Sequence, residues 1–186
     1  ELQKRIEQTW DATELEDIYM PFKPKRKTRA EVARQKGLEP LAQFLLLQTN
    51  GDVKQKAHAF VDKDKGVKDE DDALKGAMDI IAEMVSEDER ARNAVRNNFR
   101  HDAVITSKLV KGKEEEGQKF RDYFDFPERL SRCASHRLLA MRRGEAEGVL
   151  RVSISGDDDI CMERLERQFV RGRSEASSYV ADAVAD

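Results

Sequence analysis

Residues 69–85 are the stretch that most narrows what this chain can become. Ala73, Leu74, Ala77, Met78, Ile81, Met84 and Val85 recur at intervals of three and four, which puts them on one face of a helix of period 3.6. An apolar face of that length has to be covered, so it demands partner elements of similar size. The remaining sequence offers helices for the purpose. Only 10 Gly and 4 Pro interrupt 186 residues, and 38 % of the chain is charged. Few breaks, a mainly aliphatic core and heavily ionised outer faces follow from those values. The expected fold is all-α and multi-helix, with about eight or more helices, in one domain or two small lobes. Lobe boundaries are expected near residues 38–50 and 144–156, with at most a short strand pair.

Local signals set the element boundaries. Thr13 with Glu16, Thr28 with Glu31, and Ser86 with Glu89 have capping-box spacing, so each Thr or Ser is expected to start a helix. Trp10 is expected to plug the junction before Thr13. Gly37 closes the helix after Thr28, and Pro40 suits the first turn of the next. Leu45, Met78, Ile81 and Leu138 are the expected core positions. Val95 and Phe99 are expected to point inward from a basic helix. Residues 104–110 fit a helix or a strand equally well. Residues 118–130 read as helix with a break near Pro127, and Ser135 as the cap of a helix ending near Arg142. Leu150, Val152 and Ile154 alternate with polar residues, the clearest strand pattern in the chain. Asp62 and Asp64 have the alternation of a calcium loop, but Lys63 and Lys65 oppose a cation there.

Basic charge is concentrated between two of the capped helices. Lys23, Lys25, Arg26, Lys27 and Arg29 surround Pro24, whose ring fixes φ and favours extended backbone just before it. Five cations cannot enter a core unpaired. Either they form a strap against phosphate, or they are a solvated loop that pairs with the chain's own carboxylates. A second basic group, Arg137, Arg142 and Arg143 beside His136, carries the same two readings. The net charge of −3 and pI near 5.8 fit a local contact, not a dedicated nucleic-acid domain, for which pI above about 9 is usual.

The blocks at residues 14–41, 73–83 and 86–88 resemble the Tex family in order. Tyr123-Phe124-Asp125, Ser135-His136-Arg137 and Arg143-Gly144-Glu145-Ala146-Glu147-Gly148 continue the resemblance. Met78 departs from it, since relatives usually carry Arg there. The resemblance implies a fragment of a bacterial transcription accessory factor, taken from the N-terminal to central helical region. It implies RNA or DNA as a partner, together with other domains of a longer chain and the transcription machinery. In that family the RNA-binding OB-fold, the helix-hairpin-helix motifs and an RNase-H-like domain lie elsewhere in the chain. A scaffold or protein-docking module with no nucleic-acid contact of its own is the alternative.

Catalysis is not expected. His58, His101 and His136 lack metal-ligand spacing. Ser135 and His136 are neighbours on a helix and so point in different directions. No cofactor and no metal is anticipated, and no phosphate-cradling glycine loop occurs. Cys133 and Cys161 suggest no disulfide framework, so a reduced, cytoplasmic setting is expected. The longest wholly aliphatic or aromatic run, residues 44–47, is far too short to span a bilayer, and no membrane partner is expected.

Overall fold

The computed structural model describes residues 2–23 and 27–186. The fold is mostly helical, as expected, with ten α-helices and a three-stranded sheet among the described residues. By its internal contacts the chain divides into two compact units: Glu1–Asn93 with Met162–Asp186, and Ala94–Cys161.

The first unit contains α1 (Leu2–Gln8), α2 (Ala12–Tyr19), α3 (Arg29–Gln35), α4 (Glu39–Leu47), α5 (Val53–His58), α6 (Glu70–Glu87) and α10 (Glu175–Ala185). It is built on α6, against which α3, α4, α5 and α10 all pack. Asp69 caps α6 by accepting the Asp72 N–H at 2.8 Å, and Glu70, Asp71 and Asp72 fill its first turn, where negative charge suits the helix dipole. Because α6 is covered on several sides, its buried set is wider than one stripe. Gly76 and Ile80 join Ala73, Leu74, Ala77, Ile81 and Val85 inside. Of the four expected core residues, Leu45 and Ile81 are fully buried, whereas Met78 and Leu138 are half-buried. Met84, near the C-terminal end of α6, is exposed.

Helices α3 and α6 pack tightly against each other. Ala30 and Ala33 give α3 a small-residue face, and both are buried. A β-carbon placed on Gly76 would lie 2.4 Å from Leu38 Cδ1 and 3.3 Å from Ala33 Cβ, so only glycine admits this packing. Thr28 caps α3 as expected, accepting the Glu31 N–H at 3.1 Å. The other two capping boxes fail because an aspartate nearby takes the role. Asp11 caps α2 by accepting the Thr13 N–H at 2.8 Å. Asp88 accepts the Ala91 N–H at 2.9 Å at the start of α7 (Glu89–Asp102), while Ser86 donates back into α6. Asp17 on α2 is buried against Arg92 on α7 at 2.7 Å. Trp10 plugs nothing: it sits in the link between α1 and α2, 94 % exposed.

The second unit holds β1 (Val104–Leu109), β2 (Asp125–Arg129), α8 (Ser135–Ala146) and β3 (Leu150–Ser155). The chain passes between units within α7 and within α9 (Asp158–Phe169). The sheet is antiparallel in the order β2-β1-β3, one strand more than the expected pair. Residues 104–109 resolve as strand, with Ile105 and Ser107 buried and their neighbours less so. Residues 118–130, expected as helix, form a 3-10 turn and then β2. Pro127 is tolerated because β2 is an edge strand, where a missing N–H costs no ladder bond. Residue 135 begins α8 but does not cap it; Ala134 occupies the cap position without a side-chain bond. The helix then runs through Gly144, whose missing β-carbon lets Leu150 and Phe120 approach. Since α8 meets β3 around Met141 and Gly144 near its C-terminal end, Leu138, one turn earlier, is only partly covered. On α7 Ala91 and Asn98 are buried, Val95 is half-buried and Phe99 is exposed. The Asn98 amide donates to the Asp157 carbonyl at 3.2 Å and accepts the Asp157 N–H at 3.3 Å, fixing the turn after β3. The loop after α5 is closed by Asp62, whose carboxylate accepts the N–H groups of Asp64 and Lys65. Those bonds, the one from Lys65 above all, hold the Asp62 carboxyl below its ordinary range.

Candidate nucleic-acid interface

Two cations of the basic segment of the first unit, Lys23 and Arg29, are tied to acidic residues. Lys25 and Arg26 lie outside the described residues. Lys23 stands 3.6 Å from Glu16, both about half exposed. Arg29, at the first turn of α3, reaches Asp79 on α6 at 3.4 Å and also bonds Asp186. Lys27 is exposed, and no ion pair reaches it among the described residues. Just inside, Glu83 of α6 accepts from the Thr28 hydroxyl at 2.8 Å and from Arg34. Burial works against the Arg34 charge, but the hydrogen bond and charge of Glu83 outweigh it and hold the guanidinium pKa above its ordinary value. A groove of about 640 Å³ opens here between Met20, Arg29, Ala82, Glu83, Ser86 and Asp186. Its walls mix both signs of charge.

These pairs differ in how firmly they hold. The Arg29 side chain is 65 % exposed and its partner Asp186 47 %, and an ion pair so exposed is worth about 0–1 kcal/mol, whereas its other partner, Asp79, is 16 % exposed. Arg34 and Glu83 are 24 % and 11 % exposed. Taking away one partner there leaves the other poorly hydrated, which makes this pair a fixed part of the α3–α6 joint.

In the second unit, Arg137 grips Glu128 of β2 with two bonds at 3.0 and 2.6 Å and donates to the Arg132 carbonyl at 3.3 Å. The Glu128 hydrogen bond raises the Arg137 pKa. Arg142 pairs with Glu145 one turn on. Arg143 is exposed, with no ion pair among the described residues. The fold therefore joins Arg137 to the sheet, occupies Arg142 locally, and leaves Arg143 free. Sequence reading gave no role to Arg171 and Arg173, which are exposed in the turn between α9 and α10. The available signal was the Arg-Gly-Arg triplet just ahead of the Ser174 cap of α10.

A helical unit centred on one long helix, a small sheet-bearing unit and scattered exposed cations define a mostly helical, highly charged module. No helix among the described residues is long and apolar enough to cross a membrane. The chain belongs to the Tex family: the family model described as Tex central region-like matches residues 48–185. Relatives include Protein YhgF of Escherichia coli, 48 % identical over 157 residues, covering 84 % of this chain and 20 % of that protein. The Transcriptional accessory protein Tex of Neisseria gonorrhoeae is 40 % identical over 159 residues, covering 86 % of this chain and 21 % of its own length. A human relative, S1 RNA-binding domain-containing protein 1, is 31 % identical over 156 residues, or 79 % of this chain and 15 % of that one. The chain thus spans about a fifth of the bacterial relatives' length.

Proposed function

We propose that this chain is a non-catalytic module of a Tex-type transcription accessory protein, touching the phosphate backbone of RNA or DNA at a few exposed cations. One observation carries the reading: in a chain of net charge −3, Lys27 and Arg143 stay exposed and unpaired among the described residues. Arg29 adds an exposed cation whose pair with the half-exposed Asp186 is weak enough to exchange. The names of the Neisseria and human relatives support the same direction. In this reading the module works in the cytoplasm beside the other domains of a longer chain and the transcription machinery. It performs no chemistry of its own in this reading, and two features support that: His58 is held on Glu70 at 2.6 Å, and Ser135 and His136 are exposed neighbours at the start of α8.

A scaffold role is favoured by a separate observation. Arg34 and Arg137 are committed to carboxylates of the fold, while Trp10 and Leu47 are 94 % and 71 % exposed, as protein-docking residues would be. Fluorescence anisotropy with labelled single-stranded RNA and DNA at two salt concentrations separates the readings. Neutralising two or three phosphates gives a log–log salt slope of roughly −1.5 to −2, with a Kd of about 10⁻⁴ to 10⁻⁶ M for sequence-independent contacts. RNA and DNA of different sequence should bind alike, because phosphate carries no base information. Absence of binding at low salt leaves the scaffold reading.

A further inference from the structure

Gln48 is the one residue other than glycine with a positive φ among the described residues, at 52°. It ends α4 in the left-handed conformation, and from there its side chain spans to the turn between α9 and α10. Its amide donates to the Phe169 carbonyl at 2.7 Å and accepts the Arg171 N–H at 2.5 Å. Its own carbonyl accepts from the Ser174 hydroxyl at 3.0 Å. Ser177, buried in α10, donates its hydroxyl to the Arg171 carbonyl at 2.7 Å. Both backbone groups of Arg171 are thereby held by side chains from other elements. Gly172 turns the chain at φ +77°, and a β-carbon there would meet nothing within 4 Å, so the turn stands clear of the fold. On either side of it, Arg171 and Arg173 are exposed. No ion pair reaches either guanidinium among the described residues, although Glu175 is close in sequence. The fold thus fixes the backbone of a turn whose two cations it does not use.

We infer that the Arg171-Gly172-Arg173 turn is the principal phosphate-contacting site of this chain and takes the backbone of a single nucleic-acid strand. The inference rests on the phosphate-contact reading above and assigns its main residues. Arginine presents a planar fork suited to phosphate oxygens. Residues two apart have Cα atoms at most about 7 Å from each other, so the two forks can serve neighbouring anions of one strand. Clustered arginines also take acidic peptides, and the strand is chosen on the phosphate-contact reading above. Here the Arg171 N–H and C=O are already bonded, and only the side chains are on offer. Contacts to phosphate alone carry no base information, so binding is indifferent to sequence. Holding the turn in advance lowers the ordering cost of contact, which is the part Gln48 plays.

The test uses the 186-residue chain and a fluorescein-labelled oligo-dT strand, titrated between 50 and 200 mM salt. Arg171→Gln with Arg173→Gln removes two contacts, so the salt slope should become shallower by about 1.4, and affinity at 50 mM should fall on the order of 50-fold. Lys23→Gln with Lys27→Gln should change the slope far less. Gln48→Asn keeps the left-handed preference and both arginines but shortens the clamp; with an unchanged thermal melt, it should weaken binding several-fold. If the parent binds and the double arginine variant keeps the parent's slope, the inference is overturned while the phosphate reading stands. A parent that binds no oligonucleotide overturns both. A parent that binds a poly-glutamate peptide more tightly than the strand, with Arg171 and Arg173 carrying that affinity, overturns the nucleic-acid assignment. Full affinity in Gln48→Asn overturns the preorganisation argument.

Discussion

Replacing Gly76 with alanine sets two effects against each other, and the geometry decides the sign. In a helix interior alanine is favoured over glycine by about 1 kcal/mol, so on propensity alone the change stabilises. The added carbon, however, would lie 2.4 Å from Leu38 Cδ1 and 3.3 Å from Ala33 Cβ. Leu38 is only 1 % exposed, so its methyl has nowhere to swing, and Ala33 can yield only by moving α3. Overpacking of this kind costs about 1–3 kcal/mol. The net expectation for Gly76→Ala is a loss of up to about 2 kcal/mol, or a fall in Tm of up to roughly 8 °C at this chain length. A second variant isolates the cause. Leu38→Ala alone should cost about 2–5 kcal/mol through the cavity it leaves. Adding Gly76→Ala in that background should then recover about 1 kcal/mol, because the colliding methyl is gone. Urea denaturation of the four proteins gives the coupling directly, expected at about 1–3 kcal/mol. If Gly76→Ala stabilises the parent by its full propensity, or if the two changes add without coupling, the described α3–α6 approach is wrong.

Other outcomes follow from the same contacts. Ile81→Ala should cost about 2–5 kcal/mol in a denaturant melt, and Met78→Ala distinctly less, since Met78 is only half-buried. The hydrogen bond from His58 holds the Glu70 carboxyl below its ordinary range. Its contribution to stability is therefore present above the unfolded carboxylate pKa and disappears as pH falls through the lower folded value; a melt series below about pH 4.5 should lose that part of its slope in Glu70→Gln. Burial, and next the hydrogen bond with Glu128, push the Cys133 thiol pKa up, so iodoacetamide at pH 8 should modify it more slowly than a free cysteine. Glu128→Gln should speed that labelling.

The long helix was legible because its apolar spacing and its all-around packing agree. Ala73, Leu74, Ala77, Ile81 and Val85 are inside, and the small face of α3 lies where Ala30 and Ala33 put it. Gly76 and Ile80 were not read as core, because the pattern shows one stripe and cannot show how many partners surround it. The capping boxes misled at α2 and α7, where Asp11 and Asp88 sit close enough to compete. The alternation of Phe126 and Glu128 with exposed Asp125, Pro127 and Arg129 was hidden behind a proline that reads as a breaker and is harmless on an edge strand. The candidate site was less legible than the fold. Density of charge marked residues 23–29, yet whether a cation is free depends on carboxylates distant in sequence. Asp79 and Asp186 answer Arg29, and Glu128 answers Arg137. Arg171 and Arg173 looked ordinary because the residue that holds their turn, Gln48, is more than 120 positions away.

The most direct measurement of the central claim, that this module meets nucleic acid through a few local cations, is an amide NMR titration of the chain with an oligonucleotide at 50 mM salt. The expected shifts cluster at Arg171, Gly172 and Arg173, with smaller ones near Lys27 and Arg143, and should fade together at 200 mM salt as phosphate contacts must. Shifts centred on Trp10 or Leu47 that persist unchanged at high salt would contradict that claim, and so would a spectrum that does not move at all.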